Sequence, residues 1–332
     1  MRVVVVGATG NVGTSVVSAL AADDAVESVL GLARRPGGPP HPKVRWERAD
    51  VRLTDLAPAF AGADAAIHLA WLLQPSHQEP RMRAVNVDGS ARVFEAAAAA
   101  GVRTLVYASS VGAYAAAPSD GRPRDEAWPA TGIPSAYYAR HKARVEAMLD
   151  RFEAEHPGMR VVRLRPALIF KREAATEIKR YFVGPLVPPW AIRPGVLPAV
   201  PWPSGLRFQA VHTSDIAQAY RLAVTNEQAR GAYNIAADPV IGPSEFGGIV
   251  NARIVEVPPG VVRKTLELSW RARLQATAPG WLDMAMGVPV MDTSRARSEL
   301  GWTPTVSAVD ALAELLSGIP VRSTGETPVL AA

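Results

Sequence analysis

The sequence predicts an α/β fold, a doubly wound parallel sheet carrying a smaller, mixed C-terminal domain. Three observations predict it. Short apolar runs alternate with helical stretches through the first half, which is how a parallel sheet covered by helices is built. The first apolar run passes directly into Gly7-Ala8-Thr9-Gly10-Asn11-Val12-Gly13. Past Arg165 the texture changes, and Pro and Trp crowd together over 184–203.

Strands are expected at 2–6, 28–33, 44–46, 64–70, 103–108 and 160–164, where short apolar runs end at turn residues. Helices are expected between them at 12–22, 55–60, 83–100 and 135–156. Such a unit binds ligands beyond the carboxyl ends of its strands. The stretch 184–203 holds too many prolines for a regular helix or a central strand, and is too apolar for a free linker. It reads as a folded wall of the second domain. A strand at 208–211 and a helix at 214–224 follow, then mixed structure over 242–305 with a helix at 262–276, and a last amphipathic helix at 307–316. The expected division is a dinucleotide-binding domain over 1–170, with 206–238 returning to it, a substrate-binding domain from 171–205 and 239–320, and a disordered tail over 321–332.

Composition narrows the classes of function. The 332 residues are 48% hydrophobic and 20% charged, so a disordered chain is excluded. There is no cysteine, which removes disulfide scaffolds and thiolate metal sites, and no metal is expected. The net charge of +5 is spread along the chain, so nucleic acid is not an expected partner. No run approaches the ~18 apolar residues of a membrane span, and the N-terminus shows no leader pattern. A cytoplasmic protein with a small-molecule substrate is expected, with a homodimer left open.

Chemistry concentrates at three places. The glycines of the first loop allow a tight turn and let backbone N–H groups approach a pyrophosphate at the helix N-terminus, which assigns Gly7, Thr9, Gly10, Asn11, Val12 and Gly13 to a dinucleotide. Where an Asp or Glu would read a free ribose 2′-hydroxyl, the second strand is followed by Arg34 and Arg35. Guanidinium groups there favour a 2′-phosphate, hence NADP over NAD, with a solvated arginine loop as the plain alternative. Asp50 and Val51 are placed to meet the adenine. Tyr138 and Lys142 are spaced i, i+4 on one helical face, and an ammonium beside a phenol is expected to lower its pKa. The chain has few lysines, which sharpens that pairing. Ser109 and Ser110 close the fifth strand, where Ser110 could donate a hydrogen bond to a substrate oxygen.

Together, Gly7-x-x-Gly10-x-x-Gly13, Asp50, Asn86-Val87-Asp88-Gly89, Ser109-Ser110, Tyr138-x-x-x-Lys142 and Arg165-Pro166 resemble the extended short-chain dehydrogenase/reductase family, the NAD-dependent epimerase/dehydratases of Rossmann fold. Val211-His212-Thr213-Ser214-Asp215, Gly231-Ala232-Tyr233-Asn234-Ile235 and Glu299-Leu300-Gly301-Trp302 agree, and the resemblance runs to about residue 317. It implies that Tyr138 exchanges a proton with the substrate oxygen, that Lys142 binds the nicotinamide ribose and tunes Tyr138, and that Ser110 orients the substrate. It further implies that Leu69, Ala70, Asn86, Ser109, Pro166 and Ala167 line the cofactor. For His212, Asp215 and His68 a structural role stands beside a functional one.

One departure bears on the substrate. Members acting on nucleotide sugars commonly carry an Asn after the sixth strand, whereas this chain reads Arg165-Pro166-Ala167-Leu168-Ile169-Phe170-Lys171. Tyr181, Phe182, Trp190 and Trp202 follow, offering aromatic surface or core packing. The expected function is an NAD(P)-dependent oxidoreductase interconverting a ketone and a secondary alcohol on a small apolar or aromatic molecule. The alternatives are a nucleotide-sugar epimerase or dehydratase with retained NAD, and a non-catalytic dinucleotide-sensing protein.

Overall fold

The computed structural model describes residues 1–74, 76–180, 188–327 and 330. Tyr181, Phe182 and the start of the Pro-rich stretch lie outside the described residues. In chain order the elements are β1 (Arg2–Val6), α1 (Asn11–Ala21), β2 (Ser28–Ala33), β3 (Val44–Arg48), α2 (Ala57–Phe60), β4 (Ala65–His68), α3 (Glu79–Arg83), α4 (Gly89–Ala99), β5 (Thr104–Ala108), α5 (Tyr137–Glu155), β6 (Arg160–Pro166) and β7 (Leu168–Phe170). They continue with α6 (Ala175–Ile178), β8 (Ala199–Pro203), β9 (Phe208–His212), α7 (Thr213–Thr225), β10 (Gly231–Ile235), β11 (Ala237–Ile241), α8 (Pro243–Val250), β12 (Arg253–Val257), α9 (Pro259–Arg271), α10 (Gly280–Gly287), α11 (Ser294–Glu299) and α12 (Ala308–Gly318).

Seven strands form one parallel sheet in the order β10-β6-β5-β4-β1-β2-β3. The chain reverses direction across the sheet between β1 and β4, and ligands of such sheets bind in the crevice at that switch. β1 shows why it forms: Val3 and Val5 pack on one face against α1 and α7, and Val4 and Val6 on the other against α2 and α4. A strand covered on both faces reads as a continuous apolar run. β10 adds a seventh strand to the six expected, because a five-residue run with an Asn at its fourth position carries a weak apolar signal.

Beyond the main sheet, β11-β9-β7 form a small mixed sheet packed under α12, and β8 pairs with β12. In a two-stranded sheet every strand is an edge, which is how β8 accommodates Pro201 and Pro203. The helix expected at 262–276 starts at Pro259 and ends at Arg271, since proline suits a first helical turn.

Two features matter below. The β2–β3 connection contains no helix, and the Trp46 indole takes up the space instead: a Cβ at Gly31 or Gly38 would lie 2.7 or 2.5 Å from it. The described residues of the tail 321–332, expected to be disordered, make hydrogen bonds to the rest of the chain. The Thr176 hydroxyl donates to the Ser323 carbonyl at 2.9 Å, and the Thr327 hydroxyl donates to the Thr9 carbonyl at 2.8 Å. Thr327 and Leu330 are buried, because the groove beside α1 gives them apolar surface to cover.

Candidate active site

The glycine loop leaves β1 at the switch point, and its three glycines differ in what they do. Gly7 has φ +91°, and a Cβ there would lie 2.6 Å from the Ala70 amide nitrogen. A Cβ on Gly13 would lie 2.4 Å from the Gly7 carbonyl oxygen. These two let the Leu69–Ala70 backbone and α1 close against the loop. Gly10 is different, since its nearest neighbour would be the Gly7 carbonyl at 3.6 Å. No packing inside the protein demands a glycine there. Gly10 is also the N-cap of α1 and supplies no side-chain cap, and the buried Asn11 Oδ1 has no hydrogen-bond partner. An uncapped helix start beside an open glycine fits a dinucleotide pyrophosphate, held by the amides of 11–13, since the Gly10 amide donates to the Gly7 carbonyl.

At the adenine end, Arg34 and Arg35 are both exposed at the close of β2. Arg52 binds both oxygens of the Asp50 carboxylate, at 3.0 and 2.7 Å, and holds that carboxyl down at about 2, with Arg34 adding to the effect. Val51 is buried against Gly89 and forms the floor.

Tyr138 and Lys142 lie on one face of α5, as their spacing predicts. Ser110 lies beside the Tyr138 phenol and works to lower its pKa, and its hydroxyl accepts from the Gly112 amide at 3.0 Å. These three residues therefore meet. The expected lowering of the Tyr138 pKa is corrected: burial pushes the phenol up to about 12, against the hydrogen bond to Ser110. Lys142 does not offset this, because its Nζ is turned onto the Ala108 carbonyl at 2.6 Å and the Trp71 ring, whose centroid is 3.5 Å away. Burial pushes Lys142 well below its ordinary value, and the Glu146 carboxylate opposes that.

Aromatic residues surround the phenol. Trp281 of α10 lies 5.3 Å from Tyr138 and Trp71 lies 5.9 Å from it, ring centre to ring centre. A Cβ on Gly112 would meet Tyr138 at 2.9 Å and the Met284 sulfur at 3.1 Å, so a glycine is required where α10 closes over the tyrosine.

Several residues expected at the cofactor support the site from behind instead. The Asn86 amide accepts from the Leu72 N–H at 2.7 Å and donates to the Leu72 carbonyl at 3.0 Å, so it shapes the loop after β4. The Ser109 hydroxyl donates to Glu146 at 2.5 Å. Glu146, one turn beyond Lys142, also accepts from Arg163 at 3.1 Å and from Arg165 at 2.9 and 3.0 Å. Burial would raise the Glu146 carboxyl, but Arg165, Ser109 and Arg163 together outweigh it and hold it below its ordinary value. Pro166 is buried at the end of β6, and Ala167 packs against Tyr114, Ala236 and Met291. His68 bonds to Ser90 at 2.8 Å in the core. His212 caps α7, and Asp215 accepts from Thr305 and Val306, so both act as joints between elements.

A model of the NAD dependent epimerase/dehydratase family matches residues 3–236. The chain belongs to that family. An uncharacterized protein of Mycobacterium tuberculosis is 25% identical over 325 residues, 97% of this chain and 30% of that protein, so the chain spans about 30% of the length of such relatives. The L-arabinose 1-dehydrogenase (NAD(P)(+)) of Haloferax volcanii is 34% identical over 187 residues, 53% of this chain and 70% of that protein. A short-chain dehydrogenase/reductase superfamily protein from Agrobacterium tumefaciens, solved with bound NAD, has a TM-score of 0.69 at 23% identity, covering 97% of this chain and 98% of that one. Among the described residues no helix is long and apolar enough to cross a membrane, and no group of metal-binding side chains is present.

For an epimerase/dehydratase family member, this site holds four residues that sequence reasoning missed. Arg52 and Glu146 carry charge but sit at spacings with no signature. Trp71 lies three residues past His68, and Trp281 stands in a segment read only as mixed structure. Tryptophan content was the available signal for both.

Proposed function

We propose that the protein is an NADP(H)-linked oxidoreductase that interconverts a ketone and a secondary alcohol on a small apolar or aromatic molecule. The observation that carries this reading is the Tyr138 phenol, with Ser110 beside it and an aromatic and apolar wall of Trp71, Trp281 and Met284 around it, in which Lys142 is the charged group close by. A nicotinamide dinucleotide supplies or takes up the hydride at the carbinol carbon. Tyr138 gives a proton to the carbonyl oxygen on reduction and takes it back on oxidation. With its pKa near 12 the phenol carries that proton at neutral pH, which suits it to the reducing direction. Ser110 holds the same oxygen through its hydroxyl. Lys142 has donors beyond the one spent on Ala108, and these serve the nicotinamide ribose. Arg34 and Arg35 gather positive charge where a 2′-phosphate would lie, with Arg52 compensating the Asp50 carboxylate beside them, which supports NADP.

The family's name favours a second reading, an epimerase or dehydratase in which a retained NAD oxidises and re-reduces one molecule. Dinucleotide absorbance, followed with a panel of aryl and alkyl ketones with NADPH and of secondary alcohols with NADP, tests the first. Net turnover with an exchanging NADP supports it. A copurifying NAD with no net redox turnover on any member of the panel overturns it in favour of the second.

A further inference from the structure

On the outer flank of α1, away from the strand ends, lies a cavity of about 570 Å³, within the range of roughly 300–1,000 Å³ typical of small-molecule sites. Thr14, Val17 and Ala21 of α1 form one wall, Val44 and Trp46 of β3 another, and Thr324, Gly325, Thr327 and Leu330 a third. None of Gly7, Gly10, Gly13, Arg34, Arg35 or Asp50 lines it, so it is separate from the dinucleotide crevice. It exists because the β2–β3 connection carries no helix to fill this face.

One charged group is built into the walls. Lys171 lines the cavity and is only 7% exposed. Among the described residues its Nζ makes one hydrogen bond, to the Thr14 hydroxyl at 2.7 Å, and that hydroxyl in turn donates to the Asn11 carbonyl at 3.2 Å. Among the described residues no carboxylate forms an ion pair with it. A buried ammonium in such a setting is costly and is ordinarily paired. Burial pushes Lys171 below its ordinary value, with Glu173 and Glu177 opposing from a distance. Glu173 and Glu326 also line the cavity but are exposed.

We propose that this cavity is a second ligand site, taking an amphiphilic carboxylate whose head group sits on Lys171 and Thr14 and whose apolar body lies along Val17, Ala21, Val44 and Trp46. A carboxylate supplies the missing counter-charge and accepts the ammonium's remaining protons. The apolar walls select a carbon chain or ring over a bare inorganic anion, which would leave them wet. Glu173 disfavours a second negative charge, so the ligand is a monoanion.

The test is calorimetry with octanoate and 1-octanol on the full chain, on Lys171→Met and on Ser18→Trp. Ser18 is exposed on α1 and lines the cavity, so a tryptophan there fills it without disturbing the core. The expected result is one octanoate bound per chain, at least tenfold more tightly than 1-octanol. Lys171→Met should weaken octanoate at least tenfold, Ser18→Trp should abolish it, and saturating NADP should leave it in place. If Lys171→Met does not fold, Ser18→Trp and the octanol comparison still decide. Absent octanoate binding, equal affinity for octanol, an unchanged Ser18→Trp, or displacement by NADP would each overturn the proposal. None of these readouts depends on turnover, so the fate of the oxidoreductase reading is separate.

Discussion

The Lys142 ammonium nitrogen lies 3.5 Å from the centroid of the Trp71 ring, inside the protein and beside the tyrosine proposed to handle the substrate proton. A desolvated cation on an indole face is worth about 2 kcal/mol. Trp71→Leu is therefore expected to lower unfolding stability by more in the wild-type chain than in a Lys142→Met background. A double-mutant cycle in denaturant should return a coupling of roughly 1–2 kcal/mol. A coupling near zero would mean that the ring and the ammonium are neighbours without interacting.

Tyr138→Phe removes a hydroxyl and little volume. It should preserve the fold and dinucleotide affinity while cutting turnover by about two to four orders of magnitude. Tyr137→Phe is the control: its hydroxyl donates to the Gln74 carbonyl at 3.1 Å, so its loss should cost about 1 kcal/mol of stability and leave turnover close to wild type. Steady-state rates and melting curves of the two variants separate the roles.

The glycine loop gives a pair of opposite outcomes. Gly10→Val meets nothing closer than 3.6 Å, so the chain should fold normally yet bind dinucleotide poorly. Gly13→Val drives a Cβ to 2.4 Å from the Gly7 carbonyl and should lower stability first. Melting temperature and dinucleotide affinity, measured on both, distinguish a ligand-facing glycine from a packing one. Normal binding by Gly10→Val would remove the loop from phosphate recognition.

Arg34→Asp should move preference from NADPH toward NADH, because it replaces one of three guanidinium groups with a carboxylate able to accept from a ribose hydroxyl. The ratio of the two dissociation constants is the readout. A ratio unchanged by the substitution would leave Arg34 as a solvated surface residue.

Burial pushes the His68 imidazole down from 6.5 to about 3. Between those values the unfolded chain binds the proton and the folded chain does not, so stability rises with pH across that window and is lost as the solution is acidified. The slope from this group is at most about 1.4 kcal/mol per pH unit. Chemical unfolding from pH 7 to pH 4 should show that decline, and His68→Gln should flatten it. An identical pH dependence in the variant would assign the acid sensitivity elsewhere.

The parts of the site legible in the sequence are those fixed by neighbours along the chain. The glycine loop follows a strand, and Tyr138 and Lys142 share a helical face, so local spacing settles both. What tertiary packing decides was not legible. Trp281 reaches Tyr138 only because α10 is laid across α5, where a Cβ on Gly280 would lie 2.1 Å from the Ser135 carbonyl. Asn86 and Ser109 read as cofactor residues, and their polar atoms are taken up by the Leu72 backbone and the Glu146 carboxylate, partners 14 and 37 residues away in the chain. The Tyr138 pKa went the other way from the sequence expectation because burial, which spacing does not report, outweighs Ser110, and the ammonium is turned onto Ala108 and Trp71.

The hydrogen bond from Thr327 to Thr9 joins residues 318 positions apart. A ribosome moving at roughly 5–20 residues per second delivers the donor on the order of 15–60 s after the acceptor has been made. The glycine loop is thus made well before its outer strap, and the nascent chain carries it unfastened until Thr327 has emerged. A protein fused or trimmed near Thr327 would inherit that unfastened condition permanently.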